Sequence, residues 1–288
     1  MEIIKSIFTL PARVLSYIQN HFKAMIFLLL LYIVFEPTTI PTEVPNLAKI
    51  RLSGNIVNAE AILEKIDEVK NDDNIKGALF VVNSGGGAVA PSVEISQAIK
   101  RLNSTKPVVT YASGTLASGS YYSAIYSSAI VANPGSLVGS IGVIMQGMNL
   151  EKLSQKVGVV TQTIKAGKFK EVGTTMRKWD SEEKAELKKV IDGTYNMFVR
   201  DVANARKLDA TQHTVFADAH IFTANGALAV GLIDKVGVSY DATELLIKIS
   251  GVEHAVFKQE DKFDKLMEKI NQEVHTFVLS LTQTLQLH

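Results

Sequence analysis

Three short stretches of this 288-residue chain hold residue types that can do chemistry. The first is Asn83-Ser84-Gly85-Gly86-Gly87. Its glycines reach backbone angles closed to other residues and leave N–H groups uncovered, which suits an anion or a developing oxyanion. A plain tight turn has the same composition. The spacing matches neither the G-x-G-x-x-G dinucleotide fingerprint nor a P-loop. The second stretch, Ala112 to Tyr122, is crowded with small residues around Ser118. If Ser118 stands at a helix start, the helix dipole favours an alkoxide-like charge there. Tight packing between helices explains the small residues equally well, and the G-x-S-x-G elbow motif is absent. The third is the lysine cluster Lys165, Lys168 and Lys170 around Gly167. A lysine serves as a base only where burial lowers its pKa from about 10.4, and most lysines are solvated surface charges.

Other chemistries find little support. With no cysteine there is no disulfide, thiolate metal site or cysteine nucleophile. His213 and His220 lie outside any H-E-x-x-H motif and read as ordinary histidines, so neither a metal nor a cofactor is expected. The formal net charge of +1 argues against nucleic acid as a partner.

Elements able to position these stretches alternate between strand and helix. Leu47–Leu52, Ile75–Val82, Pro107–Ala112 and Ala129–Ala132 read as strands, the second buried on both faces. Helices are expected from an Asn58 N-cap to Lys70, over Ser92–Leu102 and over Leu116–Ser127. This rhythm implies an α/β fold with a mostly parallel sheet. Asp180 and Glu183 have capping-box spacing at the head of a long helix to about Lys207. Ala224–Val230 reads as a short helix ended by Gly231. From Glu260, apolar residues recur on one helical stripe, as in an amphipathic tail. The chain divides as an N-terminal segment and linker (1–46), a catalytic domain (47–250) and that tail (251–288).

The N-terminal segment points to a membrane. Ala24 to Phe35 is an unbroken apolar run of twelve residues. At about 1.5 Å each it spans roughly 18 Å, short of the ~30 Å hydrocarbon core, so the helix must begin near residue 16. Lys5, Arg13 and Lys23 precede the run while Glu36 and Glu43 follow it. The positive-inside rule then makes it an uncleaved single-pass transmembrane helix with the domain on the extracytoplasmic side. A cleaved signal peptide and a buried core helix are the alternatives.

Taken in order, the motifs resemble the signal peptide peptidase A family, short form, of peptidase family S49. The resemblance covers roughly residues 48 to 240. Asn83 to Gly87 is similar to the family's Asn-Ser-Pro-Gly-Gly turn, with Gly85 in place of proline. Ala117 to Tyr122 is similar to its Ala-Ser-Gly-Gly-Tyr-Tyr segment, with Ser120 in place of glycine. Val138 to Val143 is similar to Thr-Gly-Ser-Ile-Gly-Val, and Ala166 to Glu171 to Ser-Gly-x-x-Lys-Asp. Ala224 to Asp234 follows the closing pattern.

The resemblance implies a ClpP/crotonase-type fold and a membrane-anchored serine endopeptidase of the cytoplasmic (inner) membrane, facing the periplasm. Ser118 would be the nucleophile and Lys170 the base, chosen over Lys168 by the family's Gly-x-x-Lys spacing. Ser140 would orient the lysine amine. The backbone N–H groups of Gly86 and Ser118 would form the oxyanion hole. Substrates would be apolar peptides such as signal peptide remnants. Assembly would be a homo-oligomer, an octamer, pairing Ser and Lys from adjacent protomers. Crotonase-like acyl-CoA chemistry and a catalytically silent membrane scaffold are the competing functions.

Overall fold

The computed structural model describes residues 17, 19–28 and 43–259. Most of the apolar run from Ala24 to Phe35 and the tail from Glu260 lie outside these residues. Residues 19–28 are helical, with Phe22, Met25, Ile26, Phe27 and Leu28 exposed. Among the described residues no helix is long and apolar enough to cross a membrane. The chain forms two compact units, Met1–Val44 and Pro45–His288.

The second unit is built on a sheet with the order β1 (Leu47–Ile56), β2 (Gly77–Gly87), β3 (Val108–Ala117), β4 (Ala129–Ala132), β7 (Lys235–Val236). These strands pair in parallel. Two short strands lie off that path. β5 (Leu137–Gly139) runs parallel to the end of β3, and β6 (Ile221–Thr223) pairs antiparallel with β5. The helices are α1 (Glu60–Asn71), α2 (Val89–Asn103), α3 (Gly119–Ala124), α4 (Glu151–Lys156), α5 (Ser181–Arg206), α6 (His213–Phe216), α7 (Ala224–Ala229) and α8 (Ser239–Ser250). The α/β fold with a mostly parallel sheet is the one expected.

Side-chain alternation splits the core into two layers. Ala78, Phe80 and Val82 of β2 join one cluster with the buried faces of α1, α2 and α5. Leu79, Val109 and Val131 face the other way, against Ala242 and Leu246 of α8. The strands are thus covered on both sides, which accounts for the continuous apolar run in β2.

Several boundaries depart from expectation, for reasons of long-range pairing. β2 does not stop at Val82. It runs through the glycines to Gly87, which pairs with Ile56 across an irregularity in register. β3 continues to Ala117 because Thr115, Leu116 and Ala117 pair with β5. Helix α3 therefore starts at Gly119 rather than Leu116 and is only six residues long. Helix α1 has Ala59, not Asn58, at its N-cap, with no side-chain hydrogen bond there. The capping box at Asp180 and Glu183 is present in full. Gly231 follows α7 with φ +79°, the left-handed turn that favours glycine. Residues 256–258 pair with the start of β1, through Leu47 N–H to Val256 O (3.1 Å) and Lys258 N–H to Leu47 O (2.7 Å).

One ion pair ties the end of α5 to the approach to β7. Arg206, nearly buried, donates from Nη1 and Nη2 to the two oxygens of Asp234 at 3.0 and 2.8 Å. Asp234 Oδ2 also accepts the Ile130 N–H at 2.7 Å. Removing the carboxylate strands the guanidinium and a strand N–H together. Asp234→Ala should therefore cost about 2 kcal/mol or more. Chemical denaturation should show a lowered midpoint with an unchanged m-value.

Candidate active site

The carboxyl ends of β2 and β3 meet at one point, the edge where parallel α/β sheets place their sites. Ser118 is the residue between β3 and α3. It adopts φ 53°, ψ −127°, a conformation costly for a residue with a side chain. Its carbonyl accepts the Tyr122 N–H at 3.0 Å, so the helix begins at once. This is a strand–serine–helix elbow, built without the G-x-S-x-G motif. Ser118 is half-buried between fully or nearly buried neighbours on both sides.

The glycine turn is what lets the elbow fit. A Cβ on Gly86 would lie 2.6 Å from Gly119 N and 2.8 Å from Ser118 Cβ. A Cβ on Gly119 would lie 2.3 Å from Ser92 Oγ. Ser120, fully buried, then fastens the two pieces. Its hydroxyl accepts the Ala117 N–H (2.9 Å) and donates to the Ser84 carbonyl (2.6 Å). A glycine at this position would leave both groups without that partner. Ser84 in turn donates to Gly54 O at 2.5 Å.

Ser118 opens into a cavity of about 90 Å³. Its wall comes from Gly87, Val89, Ser92 and Val93, from Gly119 and Tyr122, from Gly142 to Ile144, and from Thr194, Met197 and Phe198 of α5. None of these carries a formal charge at neutral pH. The Tyr122 hydroxyl donates to Asp201 at 2.5 Å, and its ring meets Phe198 edge-on at 5.0 Å. Burial, with the Asp201 contact adding to it, pushes that phenol well above its ordinary value. It therefore stays neutral.

The sequence-derived residues are only partly brought together. Ser140 is: Ala117 pairs with Gly139, so Ser118 and Ser140 follow adjacent strand ends. Ser140 itself has φ 51°, and its N–H donates to His220 O at 2.7 Å. The two N–H groups expected to form the oxyanion hole are both engaged. Ser118 N–H donates to Gly139 O at 2.8 Å, and Gly86 N–H to Ser84 Oγ at 3.1 Å. Gly119 and Gly87 border the cavity instead, and Gly119 stands at the first helical position, where the helix offers its N–H no partner. Neither His213 nor His220 borders it; the Nδ1 of His213 lies 3.3 Å from the Tyr195 hydroxyl.

Lys170 is solvent-exposed and does not border the cavity within one copy of the chain. The structure nevertheless distinguishes it from its neighbours. Lys165 donates to Glu171 at 2.9 Å and Lys168 to Glu182 at 2.8 Å. The Glu182 contact holds the Lys168 amine above its ordinary value, against the needs of a base. Among the described residues Lys170 is the member of the trio with no carboxylate partner.

Sequence reasoning missed the α2 and α5 walls, since Met197 and Phe198 look like any core stripe. It also missed a charge network around the lysines. Arg177 grips Glu183 with both Nη atoms (2.8 and 2.7 Å) and reaches Glu171 from Nη2 (3.1 Å). The Glu183 side chain is only 5% exposed.

With this geometry in place, the class is a strained-serine elbow at the carboxyl edge of a parallel α/β sheet. The family model described as peptidase family S49 matches residues 100–253. A relative from Methanocaldococcus jannaschii, named as a protease, is 40% identical over 195 residues, 68% of this chain and 63% of that one. A relative from Enterococcus faecium, named as signal peptide peptidase SppA, is 34% identical over 192 residues, 66% of this chain and 56% of that one. The chain thus spans somewhat more than half the length of these relatives. The solved structure of the membrane-bound stomatin-specific protease 1510-N shares the fold, with a TM-score of 0.51 at 15% identity, over 76% of this chain and 100% of that one. The chain belongs to peptidase family S49.

The Arg177 grip sets an acid dependence. The guanidinium, helped by the Asp180 N–H, holds the Glu183 carboxyl at about 2, below its ordinary 4.5. A carboxyl whose folded value is depressed contributes stability fully above the unfolded value and loses it as pH falls towards the folded one. Wild type should therefore exceed Glu183→Gln in stability above about pH 4.5, with the gap closing towards pH 2. Denaturation midpoints across that range read it directly.

Proposed function

We propose that this chain is a membrane-tethered serine endopeptidase that cleaves apolar peptides with a Ser118–Lys170 dyad. The strained elbow at Ser118, opening on an uncharged cavity, is the observation that carries the reading. Ser118 Oγ attacks the scissile carbonyl carbon while the neutral Lys170 amine takes the hydroxyl proton. The tetrahedral oxyanion meets the Gly119 N–H, with Gly87 beside it. Collapse breaks the C–N bond, and Lys170 returns the proton to the leaving amine. Water then hydrolyses the acyl ester on Ser118, again with Lys170 as base. Ser140, beside the elbow, orients the amine.

The base comes from a neighbouring copy. Lys170 lies on the segment between residues 141 and 178, which exposes Ile144, Met148, Leu153, Val157, Val160 and Ile164. Apolar side chains in that density call for a covering surface. A ring of copies, an octamer in this reading, supplies it and brings each Lys170 to the next Ser118. The substrate side chain entering the Val93–Met197 wall is apolar, as in the remnants of signal peptides. The anchor is the run from Ala24 to Phe35, with the domain outside the cytoplasm.

Two experiments on the full chain in detergent test this. With a fluorogenic apolar peptide, Ser118→Ala and Lys170→Ala should each lower kcat by about 10³-fold or more. Mixing the two inactive variants should restore part of the activity, because intact Ser118 and Lys170 then meet across mixed interfaces. Wild-type kcat/KM should climb with pH, since the base works only as the free amine. Activity surviving either substitution, or a flat profile from pH 6 to 10, would sink the dyad. For the anchor, the full chain should stay with membranes through alkaline carbonate washing. Deletion of residues 1–44 should release it.

A further inference from the structure

We propose that Arg177 is a positioning residue for Lys170, acting through Glu171. The inference rests on the reading of Lys170 as the base. A lysine side chain is long and flexible, so the amine is placed only as well as its own Cα is held. Lys170 sits in a loop of turns and bends, and the residue after it is Glu171. That neighbour is held from two sides. Arg177 Nη2 donates to Glu171 Oε2 at 3.1 Å, and Lys165 Nζ donates to the same oxygen at 2.9 Å.

Arg177 is itself anchored to something rigid. Its two Nη atoms fork onto Glu183, which accepts the Asp180 N–H at 3.0 Å as part of the capping box of the 26-residue helix α5. One planar guanidinium thus bolts the Lys170 loop to the first turn of α5. A lysine in its place would offer a point charge, not a fork. The cation–carboxylate contacts hold Glu171 and Glu183 below their ordinary carboxylate values, so the clamp stays charged throughout the neutral range.

The clamp does a second thing. Glu171 is the carboxylate nearest Lys170 in sequence. Left unpartnered, it would be drawn to the Lys170 ammonium and hold its proton. Arg177 and Lys165 occupy Glu171, Lys168 occupies Glu182, and Asp180 is committed to the helix cap. Glu171, Glu182 and Asp180 are thus each engaged elsewhere, and none of them pairs with the Lys170 amine.

Two substitutions in the full-length protein separate these effects. Arg177→Gln strips the fork from Glu183 and leaves Glu171 to Lys165 alone. It should lower kcat for an apolar peptide about tenfold or more with KM little changed. It should also move the rising limb of the pH–rate profile to higher pH. Glu171→Gln unbolts the loop and leaves Lys165 without its carboxylate, but adds no free carboxylate. It should lower kcat similarly without that upward move, and it spares the buried Glu183, so it decides the matter if Arg177→Gln does not fold. Arg177→Lys should return the pH limb towards wild type while recovering kcat only in part. A purely structural role would leave the limb in place in all three. Wild-type kcat and pH limb in Glu171→Gln and Arg177→Gln, alongside an inactive Lys170→Ala, would overturn the clamp. Full activity in Lys170→Ala would instead remove the base, and the clamp with it.

Discussion

The backbone of Ser118 is the constraint on which the rest turns. A non-glycine residue at φ 53°, ψ −127° costs about 1–3 kcal/mol and persists only where its surroundings leave no alternative. Here they leave none. β3 is held to Ala117 by β5, and helix α3 starts at Gly119, so the chain must reverse within one residue. Gly86 approaches so closely that no side chain fits between, and the Ser120 hydroxyl joins the two strands' ends. The strain is offset by the sheet pairing on either side. It places the hydroxyl at the rim of the apolar cavity.

From that constraint the division of labour follows. The sheet and its two core layers provide a rigid edge with one raised serine. They do not carry Lys170. The lysine stretch lies in a different kind of structure, with little core of its own and apolar side chains open to solvent. It is ordered by ion pairs and by its connection to α5. The proposed assembly, in which another copy supplies the second half of the site, uses that split. The serine then needs rigidity from one core, and the lysine needs placement relative to a surface.

Much of the scaffold was legible in the sequence because local pattern and global burial agree there. Ile75 to Val82 reads as a doubly buried strand, and from Gly77 onward it is one, while the Asp180–Glu183 cap announces α5. What escaped was set by partners distant in sequence. Nothing local says that Gly87 will pair with Ile56, or that Thr115 to Ala117 will pair with Leu137 to Gly139. The elbow escaped for the same reason, since small residues around a serine are compatible with ordinary helix packing. The amides expected to hold an oxyanion, those of Gly86 and Ser118, are instead spent on Ser84 and Gly139. Lys170 was separable from Lys168 in sequence only through family spacing. The structure adds a reason: Lys168 is tied to Glu182. Arg177 gave no signal, because an isolated charge in a polar stretch looks like a solvated face, and Glu171 showed only as the last residue of a family-like segment.

The pairing of residues 256–258 with the first residues of β1 has a mechanical consequence. The domain's entry and exit are hydrogen-bonded to each other, Asn46 N–H to Val256 O at 2.8 Å. Both therefore leave from the amino ends of the strands, while Ser118 sits past the carboxyl ends. A strand of ten residues rises about 3.3 Å at each, so roughly 30 Å separates these connections from the serine. The two chain connections lie at one edge of the sheet and the serine elbow at the other. A sequence change at the chain connections can therefore reach the serine only through the full height of the sheet.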